Sequence, residues 1–402
     1  MTRNEIQSRA EELSIKHNYL LLTWATRVGK TPAALRIIDK YGGRWNICVA
    51  ETTHIEQWRQ EFIKFGYEKN LDRVNIFCYQ SIHKYADNGI NWVFDECHHM
   101  FGEKRWAVIN SINIPKAILL SATVNSNEKE YLTARFELYH EFHISLSRAI
   151  EGGILPQPKV FLISIDLDDF IIDYIYTINK GRKDLRKTVT CEFEDRHKHL
   201  AAHKHVGLRV RCTALQKYRM LTDDMERKRE FYLSIMTEWA KTNWLRIGSE
   251  RKRFLASVKT NVAKELIATI DGKRFVCFTG SVEQCKELGG KDIVYSAQST
   301  KTNTEVLTAF NEGKINQLYA VGMLREGINL HNIDVGMIIQ LDNNSRTFVQ
   351  RSGRIYLGKE PIQYILYVRG TQDETYLETS LAGFNNEYIY QTTIKNVKEE
   401  NN

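Results

Sequence analysis

The stretch NYLLLTWATRVGKTPAALRIIDKY, residues 18–41, limits the possible folds more than any other. An apolar run of strand length passes through a short turn into a segment with helical periodicity. Pro32 sits in that helix's first turn, where a missing N–H costs nothing. The turn ends in Gly29-Lys30-Thr31, preceded by Val28. A strand that enters a helix through such a turn points backbone N–H groups at a helix N-terminus, and these attract phosphate. Lysine adds a point charge there, and a hydroxyl can hold magnesium. Two residues depart from the usual phosphate loop. Trp24 stands where the first glycine is expected, and Arg27 adds bulk inside the turn. Trp24 removes no phosphate contact; Arg27 either lines a nucleotide pocket or forms a surface ion pair.

The same alternation continues. WNICVAE, VNIFCY, NWVFDE and AILLSAT read as strands separated by helix-length sequence, so residues 1–155 form an α/β unit around a parallel sheet with crossovers. EGGILPQPKV, with two Gly and two Pro, reads as the exit from it. KRFVCFTGS, DIVYSA, NQLYAVG, DVGMIIQL and IQYILYVRG build a second α/β unit over 263–385. Residues 386–402 are polar and read as a frayed tail.

Between the two lies a mainly helical insert, 156–262. TVTCEFED and GLRVRCTA are expected to pair as a β-hairpin around RHKHLAAHKHV, and a long helix follows in which Trp239 and Trp244 belong to the core face. Residues 180–259 hold 21 Lys and Arg against 10 Asp and Glu, a surplus of +11 that exceeds the whole chain's +7. Charge of this kind suits a polyanion-binding attachment or an ordinary solvated helical surface. The candidate nucleic-acid contacts are Arg196, Lys198, Lys204, Arg209 and Arg211. The alternatives for this arm are a solvated arm or a clamp between domains. Histidines 197, 199, 203 and 205, flanked by Cys191 and Cys212, match no standard zinc finger.

No run of about 18 apolar residues occurs, which excludes a helical membrane span, and the polar N-terminus lacks a signal peptide's apolar core. Seven scattered cysteines without C-x-x-C spacing point to free thiols in a reducing, cytoplasmic compartment.

VFDECHHM supplies the chemistry. Asp95 and Glu96 follow a strand directly, at the edge where parallel sheets bind ligands. Asp95 can hold magnesium through water, and Glu96 can position and deprotonate an attacking water. His98 and His99, being adjacent, point different ways and make a poor zinc pair.

GKT, DECH and SAT, in this order, resemble motifs I, II and III of the superfamily 2 helicases. FVCFTGSVEQCKEL looks like motif IV, AVGMLREGINL like motif V and QRSGR like motif VI. HISLSRAIEGGILPQPKV is similar to the segment leaving the first motor domain in the DExH branch. The resemblance covers 1–155 and 265–370 and is nearest to phage-type and restriction-enzyme-type DNA translocases.

That resemblance implies two tandem RecA-like parallel-sheet domains binding ATP and Mg2+. Val28, Gly29, Lys30 and Thr31 would hold phosphate, with Thr31 and Asp95 on the metal and Glu96 as base. Gln7 would read adenine, His98 would couple the nucleotide to Ser121 and Thr123, and Gly327 and Asn329 match motif V. Gln350, Arg351 and Arg354 come from motif VI, with Arg354 as the arginine finger; a second family arginine is replaced by Leu357. The implied partner is DNA, single-stranded, duplex or branched, with RNA as the alternative. The competing function is a nucleotide-gated nucleic-acid switch with weak ATPase.

Overall fold

The computed structural model describes residues 1–167, 171–176, 188–202, 207–270, 272–321, 330, 332–341, 348, 351–353, 355–356, 360–382 and 384–401. The first unit is a sheet of β1 (Tyr19–Trp24), β2 (Trp45–Val49), β3 (Val74–Cys78), β4 (Asn91–Phe94), β5 (Ala117–Ser121) and β6 (His140–Ile144). They lie in the order β3-β2-β4-β5-β1-β6, and every pairing is parallel. Its helices are α1 (Arg3–Lys16), α2 (Lys30–Tyr41), α3 (Thr52–Lys64), α4 (Glu103–Ser111), α5 (Ser126–Arg135) and α6 (Leu146–Glu151). Strands β2 and β5 are buried along their whole length, because helices cover both faces of a parallel sheet; this is why they read as unbroken apolar runs. Adjacency of β4, β5 and β1 brings the residues that follow them to one edge.

Helix α1 packs against α2 and β1 and is held by specific bonds at its two ends. Thr2 and Glu5 form a capping box at its start. At its end the buried Lys116 donates to Ser14 O (2.7 Å) and His17 O (3.1 Å), with its amine 4.0 Å from the Tyr41 ring centroid. Burial pushes the Lys116 amine down to about 8.

The chain then runs through β7 (Lys159–Ile165) into a three-stranded sheet of β8 (Ile171–Tyr176), β9 (Thr188–Glu192) and β10 (Gly207–Thr213), with α7 (Arg196–Ala202) before β10. Helices α8 (Ala214–Ile235) and α9 (Glu238–Thr269) form an extended hairpin. The second unit is a sheet of β7 with β11 (Phe275–Phe278), β12 (Ile293–Tyr295), β13 (Gln317–Val321), β14 (Val335–Ile338), β15 (Ile362–Val368) and β16 (Ile389–Thr392). Its order is β12-β13-β11-β14-β15-β7-β16, again parallel throughout. Helices α10 (Val282–Gly289), α11 (Thr300–Asn311), α12 (Gln372–Leu381) and α13 (Ile394–Asn401) belong to this unit.

Four features differ from the sequence reading. Lys159–Ile165, assigned to the insert, is a strand of the second sheet, where it pairs with both β15 and β16. The expected tail supplies β16 and α13, with Val397 buried and Lys398 bonded to Glu265 at 2.7 Å. The expected hairpin is absent: β9 and β10 pair in parallel, and β10 pairs antiparallel with β8. A parallel pair needs a long crossover, to which α7 contributes. The long helix is broken at Met236, which has a left-handed φ of 49°. Trp239 therefore lies at the hairpin's apex and is 63% exposed, edge-on to Phe231, rather than in the core. Trp244 is half-buried and stacks on Tyr232.

The far half of α9 docks on the second sheet through a buried ion pair, Lys259 Nζ to Asp373 Oδ2 at 2.5 Å. All seven cysteines are free and buried. Among the described residues, no helix is long and apolar enough to cross a membrane.

The depressed Lys116 amine makes a signed prediction. Folded Lys116 binds a proton less tightly than the unfolded residue, whose ordinary value is 10.5. Stability should therefore rise with pH between about 8 and 10.5. Denaturant titrations across that range should show the rise in the native chain and a flatter profile in Lys116→Met.

Candidate active site

A cleft of about 570 Å³ opens at the edge where β1 and β4 end. Its walls are Arg3 and Gln7 from α1, the turn residues Thr26, Arg27, Gly29, Lys30 and Thr31, and His54, Gln57 and Trp58 from α3. Asp95 and Glu96 form its floor, and Tyr356 closes it from the second unit.

The turn explains how Trp24 and Arg27 are tolerated. Trp24 is the last residue of β1 rather than part of the turn, fully buried and edge-on to Phe142 at 5.4 Å. Its side chain fills core, and its carbonyl accepts a 2.9 Å bond from Lys30 Nζ. Arg27 takes a left-handed φ of 69°, which costs about 1–2 kcal/mol in a residue with a Cβ. Its Nη2 donates to Leu330 O at 3.2 Å, linking the turn to the second unit. Burial, with the nearby Arg3, lowers its pKa to about 10, so it is still a cation at neutral pH. Arg27 lines the cleft wall.

Gly29 has φ 111°, and a Cβ there would stand 2.6 Å from Gln7 Nε2. The turn needs glycine for both reasons, and Gln7 lies against the turn's backbone. Val28 is buried beneath.

Asp95 is fixed on every side. Its N–H donates to Cys48 O at 2.9 Å, and its carbonyl accepts from the Tyr79 hydroxyl at 3.0 Å. Oδ1 accepts from the Glu96 N–H at 3.1 Å, and Oδ2 from the Trp58 indole at 2.8 Å. Burial drives the Tyr79 phenol well above its ordinary value, so it stays a donor. Glu96 is held at φ 47°, ψ 60°, a strained conformation of the kind that collects at working sites. His98 Nδ1 lies 3.6 Å from Glu96 Oε2, and its ring is 4.3 Å from that of His99. Ser121 Oγ donates to Thr123 O at 2.7 Å.

The second unit reaches the turn directly. A Cβ on Gly353 would stand 2.6 Å from the Thr26 Cβ, so only glycine fits. Arg351 is not on the cleft wall: Nη1 donates to Gln340 O at 2.9 Å, and the guanidinium lies 5.4 Å from the Phe278 centroid. Gln350, Arg354, Gly327, Asn329 and Lys204 lie outside the described residues.

The insert's basic residues do not converge on the cleft. Along β10, Leu208, Val210 and Cys212 face inward while Arg209 and Arg211 are exposed. Arg211 is flanked by Asp173 (3.7 Å) and Glu192 (3.9 Å). Arg196 folds back onto its neighbour, 3.6 Å from the Phe193 centroid, and Lys198 pairs with Asp195 at 3.1 Å. This face mixes signs more evenly than the sequence count suggests. Cys191 and Cys212 pack in the insert's apolar cluster, and burial raises both thiols. Among the described residues, no three His, Cys, Asp or Glu side chains gather as a metal site; His203 and His205 lie outside them.

The cleft suits a magnesium-bound triphosphate. Its donors are a hydroxyl at Thr31 and a carboxylate at Asp95, the hard oxygen set that magnesium prefers. The space a Cβ would fill at Gly29 is taken by the Gln7 amide, so only glycine leaves the turn's backbone uncrowded. Sequence reasoning missed Trp58, Tyr79 and Tyr356. TTHIEQWRQEF marks Trp58 only as an apolar helix position, because periodicity carries no record of where an indole N–H points.

Residues 258–356 match the helicase conserved C-terminal domain. The chain is 22% identical over 396 residues to the DNA 3'-5' translocase XPB2 of Sulfurisphaera tokodaii, covering 92% of this chain and 82% of that protein. Among solved structures it is similar to S. cerevisiae Dbp5 bound to RNA and ADP BeF3, with a TM-score of 0.62 and 12% identity over 98% of this chain and 91% of that one. It is also similar to the Hef helicase domain of Pyrococcus furiosus, with a TM-score of 0.51 and 15% identity over 94% and 97%. The two tandem RecA-like units expected from the sequence are present.

Overpacking of the kind a Cβ at Gly353 would cause costs about 1–3 kcal/mol. Gly353→Ala should therefore weaken nucleotide binding by about 10-fold or more. Titration with a fluorescent ATP analogue reads this, and unchanged affinity would show that the two units need not touch.

Proposed function

We propose that this chain, which belongs to the superfamily 2 helicases and translocases, hydrolyses ATP in the cleft between its two parallel sheets and uses the cycle to move along DNA. The observation that carries the reading is the seating of Gly353, from one sheet unit, on Thr26 of the phosphate turn of the other. A nucleotide bound at that turn is then within reach of both units.

The roles follow from position. The N–H groups at the start of α2 and the Lys30 amine hold phosphate oxygens. Lys30 exchanges its bond to Trp24 O for the ligand. Thr31 and Asp95 hold magnesium, which neutralises charge on the triphosphate when bound. Glu96, already turned into the cleft by its left-handed backbone, accepts a proton from the attacking water. Gln7 reads the base from α1, and Arg354, which follows Gly353 in the sequence, supplies the cation that completes the site. His98, Ser121 and Thr123 link this chemistry to the rest of the edge.

Closure adds contacts from the second unit, including the Arg27–Leu330 bond, so nucleotide favours the closed arrangement and product loss releases it. A strand lying across both units is gripped and released in turn. Similarity to a DNA translocase along nearly the whole chain favours DNA, while the RNA-bound structure makes RNA the competitor. The exposed Arg209 offers the insert a backbone contact, at single-stranded, duplex or branched DNA. Seven free thiols suit a reducing, cytoplasmic setting.

ATPase assays with single-stranded, duplex and forked DNA and RNA test the reading. DNA should stimulate turnover above RNA, and Lys30→Ala should lower it by about 10²–10³-fold with the fold intact. A low rate indifferent to every nucleic acid would mark a nucleotide-gated switch instead.

A further inference from the structure

We infer that Trp58 is a positioning residue that fixes the Asp95 carboxylate for magnesium. The inference rests on the reading of Asp95 as a magnesium ligand. Trp58 lies on α3, on a different element from both the phosphate turn and β4, and is 2% exposed. Its indole Nε1 stands 2.8 Å from Asp95 Oδ2. Burial alone does not give an indole such a partner: Trp45 donates to Gly42 O at 2.8 Å, while the indole nitrogens of Trp24 and Trp92 make no hydrogen bond among the described residues.

The backbone of Asp95 is already fixed at both ends, by Cys48 O and by the Tyr79 hydroxyl. Its remaining freedom is rotation of the side chain, whose terminal torsion is broad and roughly two-fold. One donor on each oxygen removes that freedom: Glu96 N–H on Oδ1 and Trp58 on Oδ2. A carboxylate has about four lone-pair sites, so two donors leave each oxygen able to accept from the cleft. An indole N–H suits the task because it donates only and does not titrate. The carboxylate is therefore held as an acceptor without being neutralised by a cation. The Phe62 ring, 6.4 Å away and tilted by 48°, packs beside the indole.

Trp58→Phe keeps an aromatic ring and removes the donor. Should that variant fold poorly, the benzothiophene analogue of tryptophan at position 58 keeps the shape and still lacks the N–H. Binding of a fluorescent ADP analogue is measured with Mg2+ and with EDTA, in the native chain, in the Trp58 variants and in Asp95→Ala. The native chain should bind more tightly with Mg2+. Loss of a charge-assisted bond should cut that magnesium-dependent gain by about 10-fold in the Trp58 variants, with affinity in EDTA changed far less. A gain that survives in the Trp58 variants but disappears in Asp95→Ala overturns the role of Trp58 while leaving the magnesium site standing. Equal weakening with and without Mg2+ overturns it as well, since that marks a packing defect. A gain that survives Asp95→Ala removes the magnesium reading and the inference with it.

Discussion

The contact on which the rest depends is that of Gly353 with Thr26. Two parallel sheets, whose apolar cores run together in one cluster, meet at the cleft where the phosphate turn of the first touches the helical segment around Gly353 of the second. A Cβ on Gly353 would hold the units apart there. Once they touch, Arg27 reaches Leu330 O and Tyr356 lines the cleft. A ligand at the turn then changes the energy of the whole arrangement rather than of one loop. That dependence is what converts a binding site into a mechanical element.

Around this seam the backbone is held in unfavourable conformations by its surroundings. Arg27 and Glu96 both have positive φ, and both face the cleft. Glu96 is forced there because Asp95 before it is bonded through its N–H, its carbonyl and both carboxylate oxygens. The turn that follows has to leave β4 sharply. The strain and the rigid carboxylate are two aspects of one local geometry. Farther out, α9 runs from the insert's apex to the second core, and the buried Lys259–Asp373 pair anchors it there. Motion of the hairpin is thereby tied to the second unit.

Much of the first unit was legible in the sequence. A strand buried on both faces has nowhere to put a polar residue, so NYLLLTWA and AILLSAT announced themselves, and the residues after them fell on one edge. Topology was less legible. KVFLISI has the composition of a core strand, but nothing local says that it pairs with Ile362–Val368, some two hundred residues later. The parallel pairing of β9 and β10 was hidden because two strand-like runs around a short connection look the same whether or not a helix forms between them. Trp239 showed a helical period, but periodicity cannot tell whether another element arrives to cover the apolar face. Trp58 was missed for a different reason. Its contribution lies in one N–H, and its position on α3 is set by packing, not by pattern.

The central claim is that one triphosphate is shared by both halves of the chain, with a cation from the far half completing the site. Arg354→Ala tests it most directly, with single-turnover ATP hydrolysis and ATP affinity measured on the same preparation. Loss of hydrolysis by about 10³-fold or more, with affinity changed far less, is the predicted result. Hydrolysis at the native rate would contradict the account, because the second sheet would then have no part in the chemistry.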